Sequence, residues 1–196
     1  NGGSTQTACA AGTKAAQGDG TCTDCGADNL YSPGTSSSWA SAACKTCQTA
    51  SYTSGGTGIT DRDTCTECPA GHECDGTSLT DDHKCNDDKD YSPGGLTTCL
   101  TCQQGSYTSG DTADNEHDAC TACPAGYSCD GGSTKTACPA GTYMTGPSVV
   151  ADFLNEGGVH TCKNCANDKQ YSPGTSSSWA SAACKTCGAQ SYTGGG

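Results

Sequence analysis

In this chain of 196 residues Leu, Ile, Val and Phe together number only 10, near 5%, which excludes a hydrophobic core able to offset the ordering entropy of the backbone. Nineteen cysteines stand in its place, a density at which disulfides hold a fold together. The net charge is −12, and the nine Lys and Arg are scattered, so there is no basic stripe to hold nucleic acid.

Read in chain order, the cysteines form seven Cys-x-x-Cys pairs, at 22/25, 44/47, 65/68, 99/102, 120/123, 162/165 and 184/187. Cys9, Cys74, Cys85, Cys129 and Cys138 stand outside them. The segments between pairs recur. "CGADNLYSPG" (25–34) returns as "CNDDKDYSPG" (85–94) and "CANDKQYSPG" (165–174). "SYTSGG" (51–56) returns as "SYTSG" (106–110) and "SYTGGG" (191–196), and "CTECPAGHECDG" (65–76) as "CTACPAGYSCDG" (120–131). The opening "GGSTQTACAAGT" (2–13) matches "GGSTKTACPAGT" (131–142).

These phrases divide the chain into three cysteine-rich modules, 1–74, a shorter 75–129, and 130–196, the last with an insertion at about 143–158. The expected fold is a small disulfide-rich, elongated tandem array of irregular short β-hairpin modules with little regular secondary structure. "YSPG" reads as a turn and "SYTSGG" as a short strand entering a glycine turn. The repeated tyrosines (31, 52, 91, 107, 171, 192) are expected to lay their rings on disulfides.

A ladder in which each cysteine bridges to the next along the chain gives Cys9–Cys22, Cys25–Cys44, Cys47–Cys65, Cys68–Cys74, Cys85–Cys99, Cys102–Cys120, Cys123–Cys129, Cys138–Cys162 and Cys165–Cys184. The two tight loops leave alternatives open, because Cys74 can instead reach Cys85 and Cys129 can reach Cys138. Cys187 has no partner in this ladder. Its counterpart Cys47 pairs with Cys65, so its own partner is expected beyond residue 196. A zinc ribbon also uses Cys-x-x-Cys pairs, but here they march in series with single cysteines between them. A thioredoxin-type site needs a βαβ setting that nothing here supplies.

One short helix is expected at 148–156, within "PSVVADFLNEGG". Ser148 can cap it, Val149/Phe153 and Val150/Leu154 fall one turn apart, and Gly157 can end it. Phe153 and Leu154, with Trp39 and Trp179 in the two copies of "SSSWASAAC", are candidates for self-contact. Ser and Thr make up about a quarter of the chain, and Thr35, Ser36, Ser37, Ser38, Thr175, Ser176, Ser177 and Ser178 are candidate O-glycosylation sites. Asn-x-Ser/Thr is absent, so N-glycans are not expected.

The four His are scattered, and no nucleophile elbow, zinc-protease helix or phosphate-cradling loop is present, so no enzyme is expected. Asp81/Asp82 and Asp87/Asp88/Asp90 read as solvated loop able at most to bind calcium weakly, and no other cofactor is expected. The longest apolar patch, around Val149 to Leu154, is too short to span a bilayer. Disulfides persist in oxidising compartments, which places the chain outside the cell or at its surface. An Asn at position 1 and no signal peptide point to a processed product or fragment.

"CPAGHEC" (68–74), "CPAGYSCDGGST" (123–134), "CPAGTY" (138–143) and the YSPG and SYTSG phrases resemble the ephrin-receptor-like cysteine-rich repeats, similar in style to tumour-necrosis-factor-receptor modules. They also resemble the repeats of ciliate immobilisation antigens. The resemblance implies a non-enzymatic extracellular structural protein, self-associating as a subunit of a surface coat or fibre. Its alternative is the ectodomain stalk of a receptor or adhesion protein that binds a protein ligand. If sulfur cross-links hold the chain, a reductant collapses it and a chelator does not. Circular dichroism and gel filtration after dithiothreitol or EDTA treatment check this, and collapse by EDTA alone would overturn the disulfide reading.

Overall fold

A computed structural model of the chain describes residues 8–15, 20–34, 43–110, 117–146, 161–166, 169–176 and 180–188. The protein is a small disulfide-rich array of β-hairpins. The described residues contain no α-helix; they contain short antiparallel strand pairs and one 3-10 turn at Asp81–His83. The expected helix at 148–156 lies outside the described residues.

Nine disulfides close the chain: Cys9–Cys22, Cys25–Cys44, Cys47–Cys65, Cys68–Cys74, Cys85–Cys99, Cys102–Cys120, Cys123–Cys129, Cys138–Cys162 and Cys165–Cys184. Each half-cystine is bonded to a neighbour in chain order, across separations of 6 to 24 residues. At the two tight loops the structure joins Cys74 to Cys68 and Cys129 to Cys123, so Cys85 and Cys138 are left to close the rungs that follow.

Most bridges close a hairpin. β1 (Thr13–Lys14) pairs with β2 (Thr23–Asp24), β3 (Leu30–Tyr31) with β4 (Lys45–Thr46), and β5 (Ser51–Ser54) with β6 (Thr64–Glu67). After the 3-10 turn, β7 (Asp90–Tyr91) pairs with β8 (Leu100–Thr101), β9 (Ser106–Ser109) with β10 (Ala119–Ala122), and β11 (Tyr127–Cys129) with β12 (Lys135–Ala137). Last come β13 (Thr142–Tyr143) with β14 (Lys163–Asn164), and β15 (Gln170–Tyr171) with β16 (Lys185–Thr186). Two-stranded sheets of this size are marginal in water. The disulfide supplies what the ladder lacks, about 3 kcal/mol for a loop of about 15 residues in the chain-entropy account.

The buried apolar residues among those described are ten half-cystines and Met144. Small hydroxyls fill the remaining interior: Ser32, Ser92, Ser172, Ser181, Thr53 and Thr108 are all buried. Each repeated "YSPG" turn is built alike. The glycine N–H donates to the serine hydroxyl at 3.2–3.3 Å, from Gly34 to Ser32, Gly94 to Ser92 and Gly174 to Ser172. The serine carbonyl accepts from the glycine N–H of a "C-x-A-G" phrase, as in Gly71 to Ser92 at 2.7 Å and Gly141 to Ser172 at 2.8 Å. A buried hydroxyl is tolerated where it is bonded, and here the turn itself supplies the partner.

By packing, the chain divides into two compact units. One comprises 1–85 and 92–99, and the other 86–91 and 100–196. The three modules are a periodicity of sequence, and the units cut through the second of them.

Ala50 has φ +65°, the one described non-glycine residue in the left-handed region. Its counterpart in the next repeat is Gly105, at φ +86°. Both N–H groups donate to the carbonyl of a half-cystine, Ala50 to Cys74 at 2.8 Å and Gly105 to Cys129 at 3.0 Å, and that contact fixes the conformation. Ala50→Gly is therefore expected to stabilise unit 1, and Gly105→Ala to destabilise unit 2, by about 1 kcal/mol each. Denaturant midpoints of the oxidised chain read both; shifts of the same sign would contradict the account.

Candidate functional site

The most elaborated polar site occurs twice, once in each unit, and joins three segments far apart in sequence. In unit 1 the segments are the loop before β3, strand β5, and the "DGTS" phrase after Cys74. Thr53 Oγ1 donates to the Asp28 carbonyl at 2.6 Å, and Thr53 N donates to the Thr77 carbonyl at 3.1 Å. The Asp28 carboxylate accepts from Ser78 N at 3.1 Å and from Ser78 Oγ at 2.8 Å. A carboxylate is the suitable group here, because it can accept from an amide and a hydroxyl at once without needing a donor of its own.

Unit 2 repeats the arrangement with the equivalent residues. Thr108 Oγ1 donates to the Asp88 carbonyl at 2.7 Å, Thr108 N to the Gly132 carbonyl at 3.2 Å, and Ser133 N to the Asp88 carboxylate at 3.1 Å. The Ser133 hydroxyl and amide are the leading causes that hold the Asp88 carboxyl below its ordinary 3.8.

The glycine of each "CDG" sits where no side chain fits. Gly76 has φ +97° and Gly131 φ +99°. A Cβ on Gly76 would come within 2.6 Å of the Cys47 carbonyl oxygen, and one on Gly131 would strike that of Cys102. The phrase therefore passes flat against the half-cystine that opens the preceding hairpin, β5–β6 in unit 1 and β9–β10 in unit 2.

The two repeats also part at the residue three before Cys65 and Cys120. Arg62 Nε lies 4.0 Å from Asp28 Oδ1, while Arg62 Nη1 donates to the Gly55 carbonyl at 3.0 Å. The residue at the same step of the second repeat, counted back from Cys65 and Cys120, is His117. It is 3% exposed, and among the described residues neither ring nitrogen has a hydrogen-bond partner.

Two further carboxylates organise loops in unit 1. Asp61 accepts from Thr57 Oγ1 (2.6 Å), Thr57 N (2.9 Å) and Gly58 N (2.6 Å), which lowers its pKa to about 2. Asp75 accepts from Thr77 Oγ1 and N, which hold its carboxyl low, with a smaller contribution from His83 at 3.4 Å.

Several carboxylates of the acidic clusters considered for calcium have protein partners. Asp81 pairs with Lys84 at 3.3 Å, Asp87 accepts from Lys89 N, and Asp90 accepts from Thr101 Oγ1. Among the described residues no three His, Cys, Asp or Glu gather as metal ligands. No helix of the described residues is long and apolar enough to cross a membrane.

Thr175 and Ser176 are the only candidate glycosylation residues among those described. The Thr175 hydroxyl donates to the Gly126 carbonyl at 2.5 Å and accepts from Ser181 N at 3.1 Å, so it is committed to the fold. Ser176 is exposed. Thr35, Ser36, Ser37, Ser38, Ser177 and Ser178 lie outside the described residues, as do Trp39, Phe153, Leu154 and Trp179. Of the repeated tyrosines, Tyr107 carries the Lys135 ammonium over its ring, 4.2 Å from the centroid. Cys187 holds a free, partly exposed thiol. Its N–H donates to the Lys169 carbonyl at 2.7 Å, as Cys47 and Cys102 donate to Asn29 and Lys89.

No protein-family model and no curated protein matches the chain.

The Asp–Ser contact has a definite acid response. The folded Asp88 carboxyl is depressed below the unfolded value, so its stabilisation is complete above about pH 3.8 and is lost as pH falls through the lower folded value. Hydrogen exchange at the Ser133 amide is expected to accelerate over that range, beyond its intrinsic pH dependence. The extra acceleration should vanish in Asp88→Asn. An unchanged profile in that variant would remove Asp88 as the group responsible.

Proposed function

We propose that the chain is a non-enzymatic, extracellular structural repeat protein, a self-associating subunit of a surface coat or fibre. The observation that carries this reading is the identity of Tyr31–Cys47 with Tyr171–Cys187, seventeen residues in each copy. Closing that rung does not require those letters. The rung closed by Cys85–Cys99 keeps the YSPG turn and replaces the following stretch with "GLTT". The segments flanking the two identical copies have diverged, "GADNL" against "ANDKQ" before them and "QTASYTSGG" against "GAQSYTGGG" after them. A stretch kept alike beyond the needs of closure, between flanks that drift, is explained by a surface that must recur. A recurring surface lets one contact repeat along an axis and generate an open polymer.

Nine disulfides suit an oxidising compartment, and the resemblance to ephrin-receptor-like repeats and to immobilisation antigens favours the cell surface. A receptor stalk would gain from modules that present different patches to a ligand, and the seventeen-residue identity weighs against it. O-linked sugars on the Ser/Thr stretches 35–38 and 176–178 would shield such a coat.

Negative-stain electron microscopy of the oxidised protein is expected to reveal regular fibres or a lattice, and replacing Trp39 and Trp179 together by Ala is expected to disperse them. Monodisperse single particles across a wide concentration range would reject self-association.

A further inference from the structure

We propose that one face of unit 2, formed by Gly141, Ala166 and Ser172, is a docking edge for an extended segment of a partner polypeptide. Unit 1 has the same face with an occupant in place. There the segment 60–62 lies across Gly12, Gly26 and Ser32. Gly26 N donates to the Thr60 carbonyl at 3.0 Å, and Ser32 N donates to the Arg62 carbonyl at 3.0 Å. Asp61 passes so close over Gly12 that a Cβ on that glycine would strike the Asp61 carbonyl oxygen. Two donors answered by alternate carbonyls require an extended chain, which repeats its carbonyls on one side every about 7 Å.

Unit 2 repeats the framework beneath that segment. Gly12 and Gly141 stand in matching phrases with φ +82° and +81°. Gly141 N donates to the Ser172 carbonyl as Gly12 N does to that of Ser32. Cys165 N donates to the Gly141 carbonyl as Cys25 N does to that of Gly12. The cover is what differs. Among the described residues neither Ala166 N nor Ser172 N has a hydrogen-bond partner, and nothing lies within 4 Å of the place a Cβ on Gly141 would take. Gly12 and Cys25 are buried, whereas Gly141 is exposed and Cys165 half-buried. Tyr31 is half-buried, whereas Tyr171 is 41% exposed. Two unpaired main-chain donors beside an exposed ring call for a backbone that supplies acceptors and covers the ring. Unit 1 also fixes the register. Cys65, three residues after Arg62, is bonded to Cys47, whose counterpart in unit 2 is the free thiol of Cys187. The partner that fits is a chain with an extended stretch of the Thr-Asp-Arg-Asp-Thr-Cys kind, and the face holds it whether or not the chain forms a coat.

The test uses the full oxidised chain in a glutathione redox buffer with the peptide TGITDRDTC, residues 57–65 of this chain. Mixed disulfides are mapped by mass spectrometry. Docking makes thiol exchange at Cys187 effectively intramolecular, so attachment there is expected to be about tenfold above that of the all-D peptide, which has the same composition and charge. The cysteine-free peptide TGITDRDT should slow hydrogen exchange at the Ala166 and Ser172 amides and leave Gly26 and Ser32, already bonded, unchanged. Gly141→Ala places a methyl where the middle residue of the segment belongs, and should bring attachment down to the all-D level. The comparison of L- and D-peptides on the wild-type chain holds even if that variant fails to fold. Equal attachment of the two peptides, or exchange at Ala166 and Ser172 unmoved by the cysteine-free peptide, would overturn the assignment.

Discussion

Covalent sulfur does in this protein what side-chain oil does in most others. Ten half-cystines and Met144 are the apolar residues buried among those described, and small hydroxyls close the gaps between them. Such a core is too thin to organise the chain by exclusion of water. Stability therefore rests on restricting the unfolded chain, and it arises in instalments, one per closed loop. The separations of 6 to 24 residues keep every closure local, so each rung can form without waiting for distant segments to meet.

Local closure leaves a second problem, which is how successive rungs are held in a fixed arrangement. Disulfides between chain neighbours cannot do this, since none of them spans more than one hairpin or tight loop. The carboxylate junctions do. Asp28 and Ser78 are fifty residues apart, and Asp88 and Ser133 forty-five. The buried glycine that lies flat on a half-cystine carbonyl brings the third segment in close enough for the serine to reach the carboxylate. Covalent and polar contacts thus divide the labour: sulfur fixes each loop, and a bonded carboxylate fixes loop against loop.

The cysteine arrangement was legible in the sequence because its physical basis is spacing, and spacing is visible in letters. The competing partners for Cys74 and Cys129 stayed open there because separations of six, nine and eleven residues are all permissible loops. The junction was not legible in the same way. Asp88 reads as one of a solvated acidic group, and Asp28 raises no signal at all, since a carboxylate that accepts from a distant serine carries no local signature. Its only trace is recurrence: the same Asp, Thr and Ser fall at equivalent steps of the repeated phrases. The tyrosines recur at equivalent steps, but equivalence of step does not fix their surroundings: Tyr171 is exposed, and Tyr107 carries the Lys135 ammonium over its ring. The division into two compact units has no counterpart in the letters, because the repeat marks where a pattern restarts and packing marks where contacts thin out.

Where two repeats share a plan, the positions at which they part reveal what the plan requires. Gly105 and Ala50 occupy the same left-handed position, so the backbone geometry is essential and the residue is not. Arg62 and His117 stand at the same step before the half-cystine, so the guanidinium that reaches Asp28 is not essential to forming the junction in the way the Asp, Thr and Ser are. Because each loop is closed by its own disulfide, weakening such a junction releases one segment from another and leaves every loop intact.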